Sequence, residues 1–165
     1  MNPVVSLTDY AFYLHCMGEV MTFYDTQVLP AVSSVISETE PRKKAADIST
    51  DLEFLYSHGA EKKEVKPFDG YTGNPSQAYA LGYAYVIEGS TLGGRVILKH
   101  IHQALQLEQD GTRFFAGYGA ETGKYWKEFL QEFCAYVLAN NTAEEAIKGA
   151  IDGFSHIHRH FAQQG

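Results

Sequence analysis

The stretch from Ser76 to Leu107 constrains the fold more than any other part of the chain. It holds no proline and no apolar alternation of period two, and it is long enough for many helical turns. Yet Gly82, Gly89, Gly93 and Gly94 all fall inside it. A glycine in a helix interior costs about 1 kcal/mol relative to alanine, so the set costs several kcal/mol, a sizeable share of the stability of a domain. Gly89 and Gly93 stand one turn apart, with Gly82 two turns before Gly89, which predicts one bare face. A bare face permits close approach of another helix or of a flat ligand. The adjacent Gly93-Gly94 pair predicts a point where the helix kinks.

The rest of the chain also reads as helix. Tyr10, Tyr13, Leu14, Met17, Val20, Met21, Tyr24 and Val28 recur at three- and four-residue steps, one stripe of an amphipathic helix. Ser6 with Asp9 opens it as a capping pair, and Pro30 is expected to end or kink it. Pro41 fits the first position of a second helix, continued by Leu52, Leu55 and Tyr56 to about Gly59. A loop rich in turn formers follows, through Pro67, Asp69-Gly70 and Gly73 to Pro75, and reads as a crossover or a lid. After turns at Asp110-Gly111 and Gly117-Tyr118-Gly119, another helix runs from about Thr122 through Trp126, Phe129, Phe133 and Val137. Thr142 with Glu145 reads as a capping box for the last helix, which carries Ile147, Ile151, Phe154 and Phe161. The expected fold class is all-α, with no internal repeat.

Composition narrows the function. A length of 165 residues predicts a single domain over 1–165, and 45% hydrophobic residues suffice for a packed core. The net charge of −7 argues against a general nucleic-acid binder, which normally carries a basic face. The longest apolar run, Ala80 to Ile87, is far short of the roughly 20 residues that cross a bilayer, so no membrane partner is expected. No signal-peptide pattern opens the chain, and Cys16 and Cys134 lie far apart, as free thiols do in a reducing compartment. A cytoplasmic location follows as an expectation. His156 and His160 stand one turn apart, but no third metal ligand is visible; with His158 they read as a solvated helix end. No metal-ligating set is therefore assigned. No histidine has a serine or cysteine and an acid at nucleophile spacing. A di-iron bundle is disfavoured because its paired Glu-x-x-His motifs do not occur.

The segment Tyr85-Val86-Ile87-Glu88-Gly89-Ser90-Thr91-Leu92-Gly93-Gly94 resembles the distal-helix motif of heme oxygenases, in wording closest to the bacterial, biliverdin-producing branch. Phe114-Phe115-Ala116-Gly117-Tyr118-Gly119 and Gly123-Lys124-Tyr125-Trp126-Lys127-Glu128-Phe129 resemble the family's next loop and helix, and Asp9-Tyr10 through Leu29 its second helix. The resemblance implies a multi-helix bundle with a kinked, glycine-rich distal helix, and heme as both substrate and cofactor. It further implies ring opening to biliverdin, carbon monoxide and iron, with O2 and electrons from a ferredoxin-type or flavin reductase. Gly89, Ser90 and Gly93 fall at the family's catalytic positions. The bare backbone would crowd the bound oxygen, and Ser90, where many members carry aspartate, would orient a water. Gly94, Lys127, Gln131 and Phe154 fall at heme-binding positions, with Lys127 and Gln131 toward a propionate and Phe154 as an aromatic neighbour.

The chain departs from the family pattern in one place. The family's proximal iron ligand is a histidine in a helix ahead of the segment matched by Asp9-Tyr10, and the chain opens at Met1-Asn2-Pro3, too late to hold that helix. His15 is off the ligand position. Two explanations stand: a longer protein with another start, or a member without the ligand, whose open wall a homodimer or a rearranged first helix could cover. The alternative to the enzyme is a non-catalytic heme- or bilin-binding module on the same scaffold. A relative of thiaminase-like and quinone-cofactor-synthesis proteins would instead want a polar, acidic, cysteine-lined pocket.

Overall fold

The computed structural model describes residues 5–165, and the regular elements among them are all helical. The opening Met1-Asn2-Pro3 lies outside the described residues. Helix α1 spans Leu7–Phe23 and starts where its capping box predicts: Ser6 Oγ accepts the Asp9 N–H at 3.1 Å, and the Asp9 carboxylate accepts the Ser6 N–H at 3.2 Å. Pro30 does not end this helix. A π-helical turn, Tyr24–Val28, widens the coil ahead of the proline, the Leu29 N–H reaching back to the Tyr24 carbonyl, and a short α2, Leu29–Val32, follows.

The second helix starts later than Pro41 suggests. Pro41 sits in a single 3₁₀ turn, Glu40–Arg42; the backbone extends at Lys43, and α3 spans Ala45–Ser57. Asp25, from the π-helical turn, sets that start by accepting the backbone N–H groups of Lys44 and Ala45 at 3.0 and 2.8 Å. The following loop is a packed crossover. Phe68 and Tyr71 press against Phe23, with centroids 5.4 and 4.9 Å apart, and Tyr71 also meets the Tyr83 ring.

The glycine-rich stretch breaks at the expected place. Helix α4 spans Gln77–Ser90, a 3₁₀ turn covers Thr91–Gly93, and α5 spans Gly94–Leu105. Beyond it lie a short α6 (Arg113–Ala116), then α7 (Thr122–Asn140) and α8 (Ala143–Ala162). Asp51 of α3 caps α6, its two carboxylate oxygens accepting the Arg113 and Phe114 N–H groups at 2.9 Å each. Helix α8 begins after Thr142 as read from sequence, but no capping box forms: the Thr142 hydroxyl is buried without a hydrogen-bond partner.

Helices α4 and α8 form the closest pair in the molecule, and glycine permits it. A methyl group on Gly82 would overlap the Ala146 carbonyl oxygen, and one on Gly149 would overlap that of Tyr79. The expected common face of Gly82, Gly89 and Gly93 is thus divided. Gly82 serves helix packing, Gly89 faces Trp126, and Gly93 faces open space.

Candidate functional site

The distal end of α4 is held by a buried charge cluster. Glu88 has no exposed surface and accepts hydrogen bonds from Tyr24, from Arg42 at 2.7 Å, from Lys44 at 3.2 Å and from Tyr118 at 2.8 Å. Burial pushes the Glu88 pKa up, but Lys44, the Tyr24 hydroxyl and Arg42 outweigh it and hold the carboxyl below its usual value. Burial likewise lowers Lys44, opposed by Glu88, and raises the Tyr118 phenol, helped by Glu88. Arg42 is 1% exposed, with its guanidinium 5.2 Å from the Tyr125 ring centroid and 5.7 Å from that of Phe129. The cluster ties α4 to the turn before α3 and to the loop before α7, one residue ahead of Gly89.

The bend that follows has identifiable causes. Ser90 Oγ donates to the Ile87 carbonyl and Thr91 Oγ1 to the Glu88 carbonyl, each at 2.6 Å. Such back-bonding bends helices, and the two glycines that follow lower the resistance to it. Gly94 lies against the Phe115 carbonyl, which a Cβ there would approach to 2.8 Å.

Two hollows adjoin at this bend and share Tyr13, Met17 and Ser90. The larger is an apolar groove of about 700 Å³. Its walls are Tyr13, Met17 and Met21 of α1, the end of α4 from Tyr85 to Ser90, Leu92 of the turn, Trp126 of α7, and Phe154, Ile157, His158 and Phe161 of α8. The smaller, about 110 Å³, is lined by Ser90, Thr91, Gly94, Lys44, Asp47, Phe115 and Tyr118 among others. The groove's size lies within the roughly 300–1,000 Å³ of small-molecule and cofactor sites. Tyr13 stacks on Phe161 with centroids 5.3 Å apart, and burial raises its phenol pKa.

The structure brings Gly89, Ser90 and Phe154 together in the large groove and places Gly94 on the small hollow. A Cβ on Gly89 would stand 3.3 Å from the Trp126 indole, which covers the bare backbone from the α7 side. Gly93 is exposed and lines neither hollow. Lys127 and Gln131 are exposed on α7 and line neither, although Lys127 directly follows the groove residue Trp126.

Of the three α8 histidines read as a solvated end, His156 and His160 are not solvated. His160 is 2% exposed and bonds the Cys16 carbonyl at 2.9 Å; His156 is half-buried, with Nδ1 3.0 Å from the Tyr83 hydroxyl. His158 is exposed but stands in the groove wall. Sequence reasoning also missed the Glu88 cluster, although an acid closing the apolar run Ala80–Ile87 is a signal for it.

Among the described residues, no helix is long and apolar enough to cross a membrane, and no group of three His, Cys, Asp or Glu side chains could hold a metal ion. Comparison with curated proteins gives no match. A family model described as heme oxygenase matches residues 24–163, from the π-helical turn to the end of α8. That span takes in the bent glycine-rich helix, the charge cluster behind it and every wall of the groove except α1, and the chain belongs to the heme oxygenase family.

Proposed function

We propose that the large groove takes heme as substrate and that the chain opens the ring oxidatively, giving biliverdin, carbon monoxide and iron with O2 and electrons from a ferredoxin-type or flavin reductase. The observation that carries this reading is the apolar groove of about 700 Å³ with the Gly89 backbone and the Ser90 hydroxyl in its wall. Its flat and aliphatic side chains suit a porphyrin: Tyr85, Trp126, Phe154 and Phe161 offer ring faces, and Met17, Met21, Val86 and Ile87 fill between them. When bound, heme iron supplies the activation of O2.

The chain's own residues do the rest. Gly89 leaves bare backbone in the groove wall, with the Trp126 indole 3.3 Å from where a Cβ would stand. The Ser90 proton is committed to the Ile87 carbonyl, so Ser90 Oγ is an acceptor that holds one O–H of a water and leaves the other to point into the groove. The Glu88 cluster fixes the position of both. The apolar α1 and α8 walls exclude bulk water. Lys127, exposed beside Trp126, is assigned to a propionate at the solvent edge, with Gln131 one turn on.

Titration of the purified chain with hemin, followed by ascorbate in air, tests the proposal. The expected result is a sharp Soret band that decays to the broad absorption of biliverdin. A sharp band that persists supports the second reading, a heme-binding module without turnover. His15 lies outside the groove, its Nδ1 3.1 Å from the Lys63 carbonyl oxygen, and is not placed to ligate a heme there. Absence of any specific spectrum overturns both.

A further inference from the structure

We propose that His158 is the side chain that ligates the iron of a heme in the large groove. The proposal rests on the reading of that groove as a heme site. Ile147, Ile151, Phe154, His158 and Phe161 follow each other at three- and four-residue steps, one stripe of α8. The opposite stripe, Gly149 and Gly153, packs on α4. The stripe reaches the groove at Phe154, His158 and Phe161, so the imidazole stands between two aromatic wall residues.

The other histidines are placed elsewhere. His15, His58 and His102 bond the backbone carbonyls of Lys63, Phe54 and Glu108. His156 bonds Tyr83, His160 bonds Cys16, and His100 is exposed on α5 and lines neither hollow. Among the described residues the His158 imidazole makes no hydrogen bond, so either ring nitrogen is available to donate a lone pair to iron. A bare cation would need several protein ligands, and no such cluster exists among the described residues. A porphyrin brings four nitrogens of its own, so one imidazole is enough. Its competitors in the groove are Ser90, Tyr13 and the thioethers of Met17 and Met21, and a thioether is a softer, weaker donor to ferric iron than imidazole. Ser90 donates its proton to Ile87 rather than ionising, and Tyr13 would have to lose a proton that burial makes harder to lose. Neutral imidazole needs no deprotonation.

The test uses hemin and iron-free protoporphyrin IX on the full chain, on His158→Ala and on His100→Ala, with folding checked by circular dichroism. Ligation predicts that His158→Ala shifts the Soret band and the ferric EPR signal and weakens hemin binding at least about tenfold. Added imidazole restores the spectrum, His100→Ala behaves as wild type, and iron-free protoporphyrin binds wild type and His158→Ala alike. Identical hemin spectra for wild type and His158→Ala overturn the ligation while leaving the groove as a heme site. Equal weakening of hemin and of the iron-free ring also overturns it, since His158 then only packs. Failure of the wild-type chain to bind hemin removes the groove reading and this proposal together.

Discussion

At position 88 a carboxylate without exposed surface accepts hydrogen bonds from Tyr24, Arg42, Lys44 and Tyr118. Arg42 and Lys44 are themselves buried, so Glu88→Gln leaves two cations in a desolvated site without their shared counter-charge. Loss of one partner of a buried ionic group costs roughly 3–5 kcal/mol, and urea denaturation of Glu88→Gln is expected to show a loss of that size. The pH dependence has a definite sign. The folded-state pKa of Glu88 lies below its ordinary value of 4.5, so its stabilisation is complete above that value and is lost as pH falls through the folded one. Wild-type stability is expected to drop in this acid range, and Glu88→Gln to lose less there. Ser90 makes a separate prediction, because the residue is exposed and its hydroxyl is bonded within its own helix. Ser90→Ala is expected to keep the melting temperature and hemin affinity near wild type while slowing ascorbate-driven ring opening on the order of 100-fold, as loss of the acceptor that orients a proton-donating water does.

Helices meet here through glycine, but not every glycine serves that end. Gly82→Ala drives a methyl into the Ala146 carbonyl and is expected to destabilise by about 3 kcal/mol or more, because opposing backbone cannot turn aside. Gly93→Ala meets nothing and is expected to stay within roughly 1 kcal/mol of wild type. Thermal melts of the two variants give the comparison. Sequence spacing had placed these glycines on one face, and helix periodicity cannot tell which neighbour a face will meet. What is written locally was legible: the Ser6–Asp9 capping box, the break before Gly94, the helical stripe of Tyr10, Leu14, Met17 and Met21. What depends on distant partners was not. Asp25 starts α3 and Asp51 caps α6 from across the fold, and the Glu88 cluster gathers residues 24, 42, 44, 88 and 118. The motif pointed to Gly89 and Ser90, which line the groove, whereas the place of His158 in the same groove was hidden because three neighbouring histidines look alike until packing sends each a different way.

The whole molecule exposes more apolar surface around the groove than a sealed core would leave. Leu92 is 48% exposed and Phe154 61%, and Ile147 and Ile151 continue the α8 stripe in the open. A hydrophobic dye such as bis-ANS is therefore expected to fluoresce with the native chain, and one equivalent of iron-free protoporphyrin to reduce that emission; dye signal indifferent to the porphyrin would place the dye elsewhere. The central claim, that the groove between α1, α4, α7 and α8 is the heme site, has a built-in reporter. The chain has one tryptophan, and Trp126 stands in the groove wall against Gly89. Energy transfer from indole to a bound porphyrin quenches emission steeply with proximity. Titration of the native chain with hemin, followed by Trp126 fluorescence, is thus the most direct measurement. The account predicts strong quenching that saturates at one equivalent. Shallow quenching that grows without a break well past one equivalent would contradict it.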